Sequence, residues 1–161
     1  MLPENSHFAT SSRAPRGFTV LEIMVALAVL AVMAVMATGQ YGRYMERVRT
    51  ARAITDIGAI ETYVAHYQAT NRTLPPTLAD LNLPLPLDPW GNAYAYINHD
   101  TQPVGQFRKD KNIVPINTDY DLYSKGPDGA SVAPLTAAAS RDDIVRANDG
   151  RFIGPVPDYD P

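Results

Sequence analysis

Three aspartates and one glutamate are the side chains whose spacing could do chemistry in this sequence. Asp128 sits in the turn-forming stretch SKGPDG, and Asp142 and Asp143 follow in SRDDI. Calcium takes roughly six to eight oxygens from carboxylates, backbone carbonyls and water, and it tolerates irregular loops, so these three could contribute to one site. The alternating D-x-D-x-D-G of an EF-hand loop is absent. Aspartates also populate ordinary turns, and Ser140 with Asp143 reads equally well as the cap of a following helix. Glu22 is a different case: a carboxylate among apolar residues. On insertion scales it costs about 2.5–3.5 kcal/mol, so it needs either a partner or access to water at the interface. A cut after Gly17 would give Phe18 a free α-amino group one helical turn from Glu22. In a fibre, the amine of a neighbouring subunit could then neutralise that carboxylate.

The elements that must place these residues are legible in the patterning. Residues 1–17, MLPENSHFATSSRAPRG, are polar and carry Arg13 and Arg16 near their end. From Ile23 to Gly42 no residue is charged. At about 1.5 Å per residue that run spans the hydrocarbon core of a bilayer. A secretory signal would place small residues after a shorter apolar stretch. Here Gly17 comes first, so cleavage there leaves the hydrophobic helix on the mature chain. Beyond the run, Ala53, Ile57, Ile60, Val64 and Tyr67 recur at helical spacing, with Arg49, Arg52, Asp56 and Glu61 opposite. No proline occurs between Phe18 and Leu74, which predicts one helix of about 80 Å ending near Asn71, ahead of Pro75 and Pro76. Gly39 and Gly42 are either close-packing positions or weak points costing about 0.5–1 kcal/mol each.

Thr77 to Leu81 reads as a short capped turn. Strands are predicted over Ala93–Ile97, Ile113–Ile116 and Tyr120–Ser124, separated by Pro, Gly, Asn and Asp clusters. The Asp88–Asn92 turn is expected to place Trp90 over the helix. The fold class is α+β: a long N-terminal helix, membrane-spanning in its first half, packed against a small antiparallel sheet with a C-terminal loop region.

The stretch RGFTVLEIMVALAVL resembles the prepilin processing motif of type IV pilins and type II secretion pseudopilins. That resemblance implies a prepilin peptidase that cuts after Gly17 and N-methylates Phe18, and it implies that assembly requires Glu22. LDPWGNAYAY, then TDYDLYSKGPDG and DDI, is similar to the C-terminal half of the type II secretion major pseudopilin, a pilin-like fold. For that family the resemblance implies a calcium loop beside a three-stranded sheet, with Asp128, Asp142, Asp143 and the backbone carbonyl of Lys125 as ligands. The chain departs in ASVAPLTAAASR, which lengthens the loop and contains no glycine; Gly105–Asn117 and the tail after Gly150 are also atypical.

The organisation implied is a cleaved leader (1–17), a transmembrane and fibre-core helix (18–42), its amphipathic continuation (43–71) and a periplasmic head (72–161). The function implied is that of a structural fibre subunit, a homopolymer forming a periplasmic pseudopilus that drives export through the outer membrane. Its partners would be other copies of itself, the prepilin peptidase, minor pseudopilins, an inner-membrane assembly platform and the lipid bilayer. Flanking charge disagrees about orientation, because Arg43, Arg47, Arg49 and Arg52 outnumber Arg13 and Arg16 and so favour an outward N-terminus. A peptidase acting at the cytoplasmic face requires the opposite: a bacterial inner-membrane protein crossing once, with a cytoplasmic leader.

Composition narrows the alternatives. Net charge is -3, and after Asn71 the aspartates outnumber Lys and Arg, so no basic face for nucleic acid is indicated. The chain has no cysteine. That leaves a small exported head to a metal or to subunit contacts for reinforcement. It also weighs against one rival, a type IV pilin for adhesion, motility or DNA uptake, whose C-terminal loop is usually closed by a disulfide. A second rival is a monomeric, membrane-anchored periplasmic binding domain. His7, His66 and His99 are scattered and suggest no zinc site. Arg108, Lys109 and Lys111 read as a solvated basic loop. No Ser/His/Asp or Cys/His arrangement is visible, and no enzyme activity is expected.

Overall fold

The computed structural model describes residues 17–160; the expected leader up to Arg16, with His7 and Arg13, lies outside the described residues. The chain divides into two compact units, Met1–Gly42 and Arg43–Pro161. One helix, α1, is assigned from Val20 to Asn71.

In the first unit, the start of α1 is set by Thr19. Its hydroxyl accepts the Glu22 N–H at 3.2 Å, and its carbonyl accepts the Ile23 N–H at 3.2 Å. A threonine cap with glutamate three residues on is a helix-initiation signature. Glu22 also places its negative charge where the unpaired N–H groups of the first turn favour it. The helix assignment continues through Gly42; Gly39 falls among positions 37–39, whose side chains lie outside the described set.

The second unit is built around the amphipathic half of α1. Ala53, Ile57, Ile60 and Val64 are all buried, as their spacing predicts, and pack with Leu74, Tyr94, Tyr120, Leu122 and Ile144. Tyr67 stays half-exposed. The helix ends at Asn71, and Arg72 takes the left-handed conformation (φ 61°) that glycine more often occupies at this position. Its N–H bonds the Gln68 carbonyl at 2.8 Å. The turn at Leu78–Leu81 forms as a 3₁₀ helix, with Asp80 accepting from both the N–H and the hydroxyl of Thr77.

Four antiparallel strands form one sheet in the order β1 (Ala95–Asn98), β2 (Tyr120–Ser124), β3 (Ile144–Ala147) and β4 (Phe152–Pro155). The first two were expected. Ile113–Ile116 is not a strand of this sheet: Asp110 and Ile113 make an isolated bridge, and Pro115 has no N–H to give a ladder. Strands β3 and β4 come from the stretch expected to be loop and tail. All four residues of β3 are buried, so it lacks the polar and apolar alternation of a one-sided strand.

Strand geometry sends successive side chains to opposite faces. Tyr120, Leu122, Ile144 and Ile153 join the α1 core. On the other face, Tyr123, Val145, Ala147 and Phe152 join a second core with Ile116, Leu135, Val156 and Tyr159. Residues from Gly105–Asn117, from the lengthened loop and from the tail therefore cover the sheet face that α1 leaves free.

Candidate functional site

Two regions carry the residues singled out in the sequence. In the N-terminal unit, Gly17 precedes the helix, and a Cβ there would meet nothing within 4 Å. Phe18 is 80% exposed, and the large apolar residues from Val20 to Met36 are exposed all round the helix. A soluble core helix would bury one face. This segment is long and apolar enough to cross a membrane, and none of its apolar window is buried. Its surface therefore requires lipid or other helices. Glu22 is exposed among these side chains.

The second region is the C-terminal loop network, which begins at the Asp88–Asn92 turn. The Asp88 carboxylate accepts the N–H groups of Trp90 and Asn92 at 3.1 and 2.8 Å. Its other oxygen accepts the Ser124 hydroxyl at 2.6 Å, and that hydroxyl accepts the Gly126 N–H at 3.1 Å. The Asn92 amide donates to the Gly126 carbonyl at 3.3 Å, which locks this turn to SKGPDG. Trp90 packs on the α1 core, as expected, and donates its ring N–H to Glu46 at 3.3 Å.

Gly126 has φ 64°, and a Cβ there would lie 2.3 Å from the Asp142 carbonyl oxygen. Only glycine meets both demands. Gly126→Ala should therefore destabilise the head by roughly 2–4 kcal/mol, combining overpacking with left-handed strain. Gly58→Ala is the control: inside α1 its Cβ meets only Ile153 at 3.9 Å. Removing that glycine should be neutral or stabilise by up to about 1 kcal/mol. Thermal melts of the two variants beside the wild type check the contrast.

Across Gly126, the Asp142 carboxylate accepts the Asp128 N–H at 3.1 Å, and Asp128 accepts the Ala130 N–H at 2.8 Å. Asp128 is exposed and Asp142 half-exposed. Asp143 departs from the expected set. It is fully buried, and its Oδ2 accepts Arg108 at 2.5 Å and the Ser131 hydroxyl at 2.6 Å. Burial pushes its carboxyl up, to about 6, against the lowering effect of Ser131 and Arg108. Strand β3 follows it, so the helix that the capping alternative for Asp143 required does not form. Among the described residues, no three His, Cys, Asp or Glu side chains group so as to hold a metal ion.

Arg108 is the largest correction. Expected in a solvated loop, it is 1% exposed, with its guanidinium 4.4 Å from the centroid of the Tyr123 ring. A second buried arginine, Arg146, was not foreseen either. It bonds Glu61 at 2.8 Å and both oxygens of Asp119 at 2.8 and 2.9 Å. Burial opposes its charge, but the hydrogen bonds to Asp119 and Glu61 outweigh it and hold the pKa above the usual arginine value. Glu61 and Asp56, placed on the polar helix face by periodicity, thus act as tethers; Asp56 accepts the Tyr94 hydroxyl at 3.0 Å. Nothing local marks these pairs. For Arg146 alone there is a signal, a lone charge inside the otherwise apolar strand Ile144–Ala147.

Residues 12–38 match a family profile described as the prokaryotic N-terminal methylation motif. The chain is similar to the type II secretion system core protein G of Escherichia coli (strain K12), 33% identical over 135 residues, covering 71% of this chain and 83% of that protein. It is 29% identical to the protein of the same name from Pectobacterium carotovorum subsp. carotovorum, covering 76% and 82% of the two chains. With the Vibrio cholerae core protein G it shares 29% identity, covering 78% and 90%. No solved structure gives a significant match. With the methylation motif at the head of an apolar helix, an α+β pilin-like fold and similarity along most of its length, the chain belongs to the type II secretion system core protein G family of pseudopilins.

Proposed function

We propose that this subunit is cut after Gly17, N-methylated on Phe18, held in the bacterial inner membrane by the first half of α1, and then polymerised with copies of itself into a periplasmic pseudopilus. The observation that carries this reading is the exposed apolar first half of α1, headed by an unpacked Gly17 and a single carboxylate, Glu22. Before assembly lipid covers the helix, and in the fibre neighbouring helices do. The prepilin peptidase, minor pseudopilins and an inner-membrane assembly platform are the partners this route requires. The leader faces the cytoplasm and the Arg43–Pro161 unit the periplasm.

Glu22 supplies the test. Its side chain is exposed, so Glu22→Ala leaves the head unchanged and removes a charge from the membrane segment. Insertion and processing should proceed at wild-type levels, while sheared fibres fall at least about tenfold because a neighbour's amine has lost its partner. Wild-type fibre yield from this variant would sink the pairing role.

Calcium enters the proposal with a reduced ligand set: the carboxylates of Asp128 and Asp142 and the carbonyl of Lys125, with Asp143 withdrawn. The support is the Gly126 turn, which holds Asp142 against the Asp128 backbone. Two carboxylates on an exposed turn suit the weak end of calcium binding, with Kd around 10⁻⁴–10⁻³ M.

A further inference from the structure

We infer that the C-terminal loop is closed by the chain's own cation: the Arg108 guanidinium is the resident positive charge at Asp143, and it holds the loop shut without metal. Asp143 has no exposure, so its carboxylate needs a counter-charge inside the protein. Arg108 supplies it at 2.5 Å and uses its other terminal nitrogen to bond the Ser131 hydroxyl and the Val132 carbonyl, both at 2.6 Å. A planar fork can serve all three acceptors at once; a lysine ammonium at the end of a flexible stem cannot reproduce that pattern.

The backbone around Arg108 is fixed independently. Its N–H is held by the buried Asp121 carboxylate at 2.7 Å. Lys109 donates to Ala133 at 3.1 Å, and Leu135 donates back to Lys109 at 2.8 Å, so the segment before β2 and the lengthened loop form one backbone-bonded patch. Ser140 closes the loop's far side, bonding both the N–H and the carbonyl of Val132 at 3.0 and 2.8 Å. The hydrogen bonds that tie residues 131–135 down therefore lead to Arg108, its neighbour Lys109, Ser140 or Asp143, while Asp142 and Asp143 are held further by the N–H groups of Asp128 and Val156. A divalent ion at Asp143 would have to sit beside the guanidinium, against like charge.

The inference rests on the calcium reading of Asp128 and Asp142 only for the small metal response left over. Its readout, cleavage within residues 129–141, does not depend on fibre formation. The full-length chain in detergent is digested by a nonspecific protease with about 0.1 mM calcium chloride, the lower end of the proposed Kd range, or with chelator, and the cuts are mapped by mass spectrometry. Wild-type cleavage in the loop should differ by no more than about twofold between the two conditions, the effect of a ligand present near its Kd. Arg108→Met should raise loop cleavage by about a hundredfold with or without calcium, the opening that follows when a buried carboxylate loses its partner.

Wild-type cleavage that rises tenfold or more on chelation would overturn the inference, because metal would then be holding the loop. Arg108→Met cleaved like the wild type would overturn it as well. Should Arg108→Met fail to accumulate, Arg108→Lys takes its place. Loop cleavage increased over wild type supports the fork geometry, and wild-type protection refutes it. Fibre yield measured in parallel keeps a failure of the assembly reading distinct from a failure of this one.

Discussion

Arg146→Met should lower the stability of the head by about 3–5 kcal/mol and its melting temperature by roughly 10 °C or more. Arg146 is 3% exposed and joins three elements: Glu61 on α1, Asp119 before β2, and its own strand β3. It also donates to the Tyr120 carbonyl at 3.1 Å and lies 4.1 Å from the centroid of that ring. Methionine preserves much of the apolar volume but leaves Glu61 and Asp119 facing a site that no longer neutralises them. The ledger of charge is what changes, since the packing against Tyr120 is largely kept. Glu61→Gln should cost far less, about 1 kcal/mol, because Asp119 still pairs bidentately with the guanidinium. Denaturant titration of both variants checks the order. Equal losses would mean that helix tethering, and not the buried charge, dominates.

Gly17→Val should block processing almost completely and leave the head untouched. No atom lies within 4 Å of a Cβ at position 17, and the residue is exposed ahead of the helix start. A branched side chain there costs the fold nothing, so the whole effect belongs to the enzyme that must accommodate the cut. The uncut chain should accumulate in the membrane with residues 1–17 attached, while the wild type yields a mature chain beginning at methylated Phe18. Fibres should fall with processing, since no free amine is produced to meet Glu22 of a neighbour. Intact-mass measurement of the membrane fraction decides it. A mature N-terminus at Phe18 from the valine variant would show that cleavage does not depend on a small residue at 17.

Elements whose cause is local are legible in the order of the residues. The apolar run and the Gly17–Phe18–Glu22 spacing identify the N-terminal methylation motif, because such a motif is carried by neighbouring residues. The spacing of Ala53, Ile57, Ile60 and Val64 identifies the buried helix face, since a helix places residues three and four apart side by side. The stop at Asn71 and the strand Tyr120–Ser124 follow from turn chemistry and composition close at hand.

Pairing across long separations emerges with the packed fold and not before it. Arg108 meets Asp143 across a separation of 35 residues, and Arg146 meets Glu61 across 85. A charged residue reads as solvent-facing until its distant partner is known, because burial of a charge is favourable only with that partner present. The same reason hid β3. Its arginine argues against a core strand locally, yet the sheet places it where Asp119 and Glu61 converge. Asp143 illustrates the limit most directly. One residue from Asp142 in sequence, it turns toward Arg108 while Asp142 faces the Gly126 turn, because a second core covers the sheet face opposite α1 and draws Asp143 inside.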